Sequence, residues 1–161
     1  SYIPSYEKLL SPYRNKDINF LEIGVAYGES LEMWYDYFSK QSKIYGIDNQ
    51  TKEIAPYLND KRFDIFITDQ TSPSISPYYK NVKFDIIIDD GSHRFDHQIA
   101  SFNILKHHMN EGGIYIIEDV MNLDQRKNDY LHLKGLSWDC EIIDLRKEKG
   151  RRDDVLIIYK F

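Results

Sequence analysis

The sequence has a single cysteine, no excess of positive charge and no long apolar run. One cysteine, Cys140, excludes an intrachain disulfide and a zinc site built from cysteines, and it fits a reducing, cytoplasmic compartment. A formal net charge of −5 supplies no basic face for nucleic acid and argues against an anionic membrane surface. No charged-then-apolar leader opens the chain at Ser1, and no apolar stretch approaches the ~18 residues of a membrane span. Internal repeats, low-complexity segments and a dividing linker are also missing. What remains is a chain of 161 residues, 42% hydrophobic and 29% charged, which reads as an ordinary globular composition. Residues 1–161 are expected to form one domain, with 1–16 as an N-terminal helix or extension. A domain near this size buries roughly 68–70% of its unfolded surface.

Short apolar runs alternate with helical spacing. Ile18 to Ile23 reads as a first strand, and Leu31, Trp34, Tyr35 and Phe38 as the face of a first helix. Lys43 to Asp48 is a second strand, Thr51 to Leu58 a short helix weakened by Pro56, and Arg62 to Asp69 a third strand. Lys83 to Asp90 is a fourth, with three consecutive isoleucines. Phe95, Ile99, Phe102, Leu105 and Met109 mark a helix that Gly112-Gly113 ends, and Ile114 to Asp119 is a fifth strand. This alternation predicts an α/β fold, Rossmann-like, with a mostly parallel sheet and helices on both faces. Glu141 to Leu145 and Val155 to Phe161 are joined by Arg146 to Asp154, too short for a crossover helix. They are expected to close the sheet as an antiparallel hairpin. The acids and bases of that connection interleave, which favours a solvated turn over a nucleic-acid patch.

The first strand ends in Glu22-Ile-Gly24-Val-Ala-Tyr-Gly28-Glu-Ser30. Gly24 allows a tight turn and Gly28 a helix start against it. The G-x-G-x-x-G positions are Gly24, Ala26 and Glu29, so a dinucleotide fingerprint fails; no Gly-Lys-Ser/Thr follows, so a P-loop fails too. Glu22 would repel a pyrophosphate and suits a ligand with a cationic amino group, such as S-adenosylmethionine. The plain alternative is a generic glycine turn with Glu22 facing solvent. Asp48 ends the second strand where an acid can bond ribose hydroxyls. Asp69, followed by Gln70, ends the third, where a carboxylate can accept from an adenine amino group. Together they lie along the carboxyl edge at which open α/β sheets bind ligands.

The fourth strand ends Asp89-Asp90-Gly91-Ser92-His93 and the fifth Glu118-Asp119. If these strands are neighbours, their backbones lie ~4.8 Å apart and four carboxylates gather at one edge. Two like charges ~4 Å apart cost about 4 kcal/mol at an effective dielectric of 20. A divalent ion relieves that repulsion, and oxygen ligands select Mg²⁺ first, then Mn²⁺ or Ca²⁺. Because successive strand residues face opposite ways, the expected direct ligands are Asp90, Glu118 and Asp119, with Asp89 on the cofactor side. The alternative is that Asp90 or Ser92 caps the following helix. His93, beside the acids, is the candidate general base. His97, one turn on, is read as supporting the site or as structural, and His107, His108 and His132 as structural. Thirteen tyrosines could stack on a sugar ring, but their spacing singles out none.

The strings FLEIGVAYGESLEMW, IYGIDNQ, ITDQ, FDIIIDDGSH and GGIYIIEDV, in this order from about Phe20 to Val120, resemble the metal-dependent sugar O-methyltransferases of macrolide biosynthesis. These are class I S-adenosylmethionine-dependent methyltransferases, with cephalosporin hydroxylase-like relatives. The resemblance implies metal ligands Asp90, Glu118 and Asp119 and a base at His93. It implies cofactor contacts from Glu22, Gly24, Gly28, Ser30, Asp48, Asp69 and Gln70. The implied partner is a small-molecule acceptor, a sugar or glycosylated compound; homo-oligomerisation stays open. A catechol-directed enzyme and a non-catalytic cofactor-binding module are the alternatives. Two departures stand out: only Tyr2 to Tyr13 precede the first strand, and the polar stretch Met121 to Asp139, the natural place for a substrate lid, is short.

Overall fold

A computed structural model describes residues 2–50, 60–133, 135 and 138–161; the short helix expected over residues 51–58 lies outside them. The chain opens with α1 (Ile3–Leu10), then alternates β1 (Asn19–Ile23), α2 (Glu29–Tyr37), β2 (Lys43–Asp48) and β3 (Phe63–Ile67). It continues through α3 (Ile75–Tyr78), β4 (Phe84–Asp89), α4 (Phe95–Leu105), β5 (Met109–Ile117) and α5 (Leu123–His132). It ends with β6 (Asp139–Asp144), α6 (Arg146–Lys149) and β7 (Val155–Lys160). The strands form one seven-stranded sheet in the order β3-β2-β1-β4-β5-β7-β6. The first five pair in parallel, and β7 pairs antiparallel with both β5 and β6. The expected α/β sheet with its antiparallel end is therefore present.

Strand periodicity sorts the core into two layers. Leu21, Ile23, Ile87, Tyr115 and Ile117 pack with residues of α3, α4 and α5, while Phe20, Ile86, Ile88 and Ile116 pack with α1 and α2. Each fully buried isoleucine of β4 contributes roughly 1.5–3 kcal/mol. The same parity decides where the polar residues beyond these strands point, which fixes the site.

One expectation needs correction. The helix predicted to reach Met109 ends at Leu105 and passes into a 3-10 turn, Lys106–His108. Gly112 and Gly113 do not break it; they lie inside β5, where the Gly112 N–H donates to the Phe161 carbonyl at 2.8 Å and Phe161 returns a bond to Gly113 at 3.0 Å. The stretch read as a lid holds α5, seated by buried Leu123 and Tyr130. Among the described residues, no helix is long and apolar enough to cross a membrane.

Candidate active site

β1 runs between β2 and β4, the point where the strand order reverses, and its carboxyl end carries the glycine turn. Gly24 adopts φ +88, and a Cβ there would sit 2.2 Å from the Asp90 carbonyl oxygen and 2.8 Å from the Gly91 Cα. Glycine is thus required because the β1 and β4 loops touch backbone to backbone. The Ala26 N–H donates to Asp48 Oδ2 at 2.9 Å, which straps the turn to the end of β2. Gly28, at φ +82, starts α2. A cleft of about 530 Å³ opens above these loops, walled by Gly24, Asp48, Asp69, Gln70, Asp90, Ser92, His93 and His97, among others. Gln70 also braces the wall: its amide donates to Asp89 Oδ1 at 3.2 Å and accepts from the Ser92 N–H at 2.8 Å. Asp69 caps its own loop by accepting from Thr71, whose hydroxyl and N–H hold the carboxyl below its usual range.

Glu22, Gly28 and Ser30 do not line this cleft. Glu22 shares the parity of Phe20, so it points towards α2 and is 2% exposed, which overturns the solvent-facing alternative. Ser30 Oγ donates to Glu22 Oε2 at 2.8 Å and Trp34 Nε1 to Oε1 at 3.3 Å. Burial, with a smaller push from Asp90, raises the carboxyl to about 8 against those two donors. Folding therefore makes Glu22 take up a proton that the unfolded chain releases above about 4.5. The native state loses stability as pH climbs through that window. Glu22→Gln, which keeps the shape and removes the ionisation, is expected to gain melting temperature over wild type steadily between about pH 5 and pH 8. A difference that is flat across thermal melts in that range would contradict it.

At the ends of β4 and β5 the alternation divides the acids. Asp89 shares the parity of Ile87, is fully buried against α4, and accepts from Ser101 Oγ, Gln70 and the Gly91 N–H. Burial lifts it to about 6. It lies beneath the cleft wall, joined to it through Gln70. Asp90 is carried past the strand, and its Oδ1 meets His93 Nε2 at 3.0 Å. That bond raises the His93 pKa, against the opposing effect of burial. Asp119 has turned out of β5 at φ +48, and His93 sits at φ +57. Left-handed backbone costs roughly 1–2 kcal/mol in a residue with a side chain, and such outliers cluster at functional sites.

One donor atom each from Asp90, His93 and Asp119 comes within 4.8 Å of the others. Two of the three expected ligands thus converge with the expected base. Glu118 stands aside from that trio: it follows the parity of Ile116 towards α1, is 9% exposed, and accepts from the Tyr6 hydroxyl. Burial and the adjacent Asp119 push it up to about 8, opposed by Lys149. The helix-cap alternative fails, because α4 has Arg94 at its cap and no side-chain cap bond, and Ser92 Oγ pairs with His97 Nδ1 at 2.9 Å.

Four contributors escape the sequence. The Tyr2 hydroxyl donates to Asp119 Oδ1 at 2.6 Å, Tyr6 donates to Glu118, Ser101 holds Asp89, and Arg151 Nη2 lies 3.3 Å from Asp119 Oδ2. The β6–β7 connection is therefore more than a solvated turn; its Lys149 Nζ also sits 3.7 Å over the Tyr2 ring. The only signal available was the four-residue spacing of Tyr2 and Tyr6, which places both on one face of a helix. A second hollow of about 800 Å³ opens by Arg151, bordered by Met121, Asn122, Gln125, Lys147 and Arg152.

Similar proteins are known. Demethylmacrocin O-methyltransferase of Streptomyces fradiae is 35% identical over 128 residues, which cover 74% of this chain and 31% of that protein. Mycinamicin VI 2''-O-methyltransferase of Micromonospora griseorubida is 34% identical over 135 residues, 74% of this chain and 31% of its own length. The chain thus spans about a third of the curated relatives it matches. The crystal structure of MycE, a methyltransferase from the mycinamycin biosynthetic pathway, in complex with Mg, SAH and mycinamycin VI superposes with a TM-score of 0.73 at 28% identity. That superposition covers 99% of this chain and 48% of MycE. A family profile described as a methyltransferase domain matches residues 21–120, from β1 through the Glu118-Asp119 pair, and the chain belongs to that methyltransferase-domain family.

Proposed function

We propose that this chain transfers a methyl group from S-adenosylmethionine to a hydroxyl of a sugar, with a divalent ion, Mg²⁺ first, at the ends of β4 and β5. The observation that carries the reading is the convergence of Asp119 with Asp90 and His93, which wall the cleft. The relatives' names, sugar O-methyltransferases among them, supply the acceptor class. The donor set fits a hard cation: oxygen-rich, partly open, and anionic enough to need a counter-charge. Asp90 and Asp119 would hold the ion, and Glu118, which stands beside them tied to Tyr6, would turn in to complete the set; Gly24, Asp48, Asp69 and Gln70 would meet the nucleoside. Glu22, Gly28 and Ser30 would brace the turn from below.

When bound, the ion supplies Lewis acidity at the acceptor oxygen and S-adenosylmethionine supplies an electrophilic sulfonium methyl. His93 removes the hydroxyl proton at a ring nitrogen as the new oxygen–carbon bond forms and the carbon–sulfur bond breaks. Asp90, 3.0 Å from His93 Nε2, stabilises the imidazolium that results. The β1 and β4 loops, locked together at Gly24, fix both reactants at one edge and lower the entropy cost of attack. The hollow beside Arg151 is where the acceptor would approach.

Calorimetry with S-adenosylhomocysteine and Mg²⁺, followed by product detection against a panel of sugars and catechols, tests this. Binding of both ligands with methylated sugar as product is expected. Methylation confined to catechols would replace the acceptor, and binding without any product would leave a cofactor-holding module.

A further inference from the structure

We propose that α1 is part of the ion site, and that Tyr2 and Tyr6 are positioning residues for the carboxylates of Asp119 and Glu118. This rests on the ion reading above and adds residues to it that lie outside positions 21–120, where the family profile matches. The two tyrosines stand one helical turn apart, with the Tyr6 N–H bonded to the Tyr2 carbonyl at 3.0 Å. Their hydroxyls therefore leave the helix on one face. Tyr2 donates to Asp119 Oδ1 at 2.6 Å and Tyr6 to Glu118 Oε1. Glu118 and Asp119 follow one another just past the end of β5, and two donors at helical spacing reach one carboxyl each.

The rings are held in place, so the hydroxyls are aimed. Tyr6 packs edge-on against Trp34 at 5.4 Å, Tyr2 edge-on against Tyr6 at 6.3 Å, and Lys149 Nζ covers the Tyr2 ring. Buried Leu9 and Leu10 anchor the helix to the sheet. Each hydroxyl engages one oxygen of its carboxyl. A carboxylate tied at one oxygen presents the other in a fixed direction, which is how hydrogen-bonding partners behind a metal's ligands set affinity. On the Asp119 side the remaining oxygen, Oδ2, now faces the Arg151 guanidinium, a cation holding a position that a metal ion would compete for.

The test is a Mn²⁺ titration followed by electron paramagnetic resonance, with S-adenosylhomocysteine present, on wild type, Tyr2→Phe, Tyr6→Phe and Tyr37→Phe. Phenylalanine keeps the ring contacts and removes only the hydroxyl. Tyr37 donates to Glu7 on the same helix pair, away from the acids, and serves as the control. Tyr2→Phe and Tyr6→Phe are each expected to weaken Mn²⁺ binding about 10–100-fold, with Tyr37→Phe unchanged. A merely structural tyrosine would lower the melting temperature and leave the Mn²⁺ affinity alone. Calorimetric binding of S-adenosylhomocysteine reports that each variant is folded. If both variants bind Mn²⁺ as wild type does, α1 has no part in the site and the ion reading stands. If wild type binds no Mn²⁺, the ion reading falls first and this one with it.

Discussion

An Asp90→Ala protein is expected to bind S-adenosylhomocysteine and to turn over no acceptor. Asp90 belongs to both halves of the proposed chemistry: it is a ligand for the ion and the hydrogen-bond partner of His93. A positioned general base contributes about 10²–10⁴ in rate, and losing its orientation together with an ion ligand puts the fall in kcat at the upper end or beyond. The fold should survive, because the side chain is 40% exposed and the backbone bond from the Asp90 N–H to the Ile23 carbonyl, 2.9 Å, is untouched. Methyl transfer followed by mass spectrometry, beside calorimetry for the nucleoside, separates lost chemistry from lost binding. Turnover equal to wild type would remove Asp90 from the mechanism, and indifference of the wild-type protein to a chelator would remove the ion.

The second large effect is structural. Gly24→Ala meets two obstacles at once: a φ of +88 and a Cβ 2.2 Å from the Asp90 carbonyl oxygen. A left-handed residue costs about 1–2 kcal/mol and overpacking about 1–3 kcal/mol more, so a loss of roughly 2–5 kcal/mol is expected. In a chain of this size each kcal/mol is worth about 2–4 °C of melting temperature. Gly112→Ala is the matched comparison, since its φ of +76 is also left-handed but nothing lies within 4 Å of the added carbon. The excess loss at position 24 measures how tightly the two loops press together. Equal losses at the two sites would mean that the β4 loop moves aside freely, and that the cleft wall is not locked.

The strands were legible wherever burial on both faces makes an unbroken apolar run. Lys43–Asp48 matches its expected limits, β1 starts one residue late, and β4 is shorter by one residue at each end. What escaped depended on distant partners. Nothing local tells that Gly112 and Gly113 pair with Phe161, so they read as a helix stop. α5 buries only Leu123 and Tyr130, seven residues apart, too sparse a stripe to stand out among its charges. The gathering of acids was readable from strand ends, and so was their split by alternation. Which face each acid takes was not: Asp89 lies against α4 and Glu118 against α1 because of how the helices are laid over the sheet. Tyr2 and Asp119 are 117 positions apart in sequence, beyond any spacing rule.

The segment from Asp90 to His93 is at once a wall of the cleft and the donor of two of the three converging groups. If the shared wall couples the two occupancies, whatever factor the cation adds to nucleoside affinity, the nucleoside must return to the cation. In the proposed reaction, a four-residue loop pinned through Gly24 and Gln70 would make the seating of the methyl donor felt at the cation site.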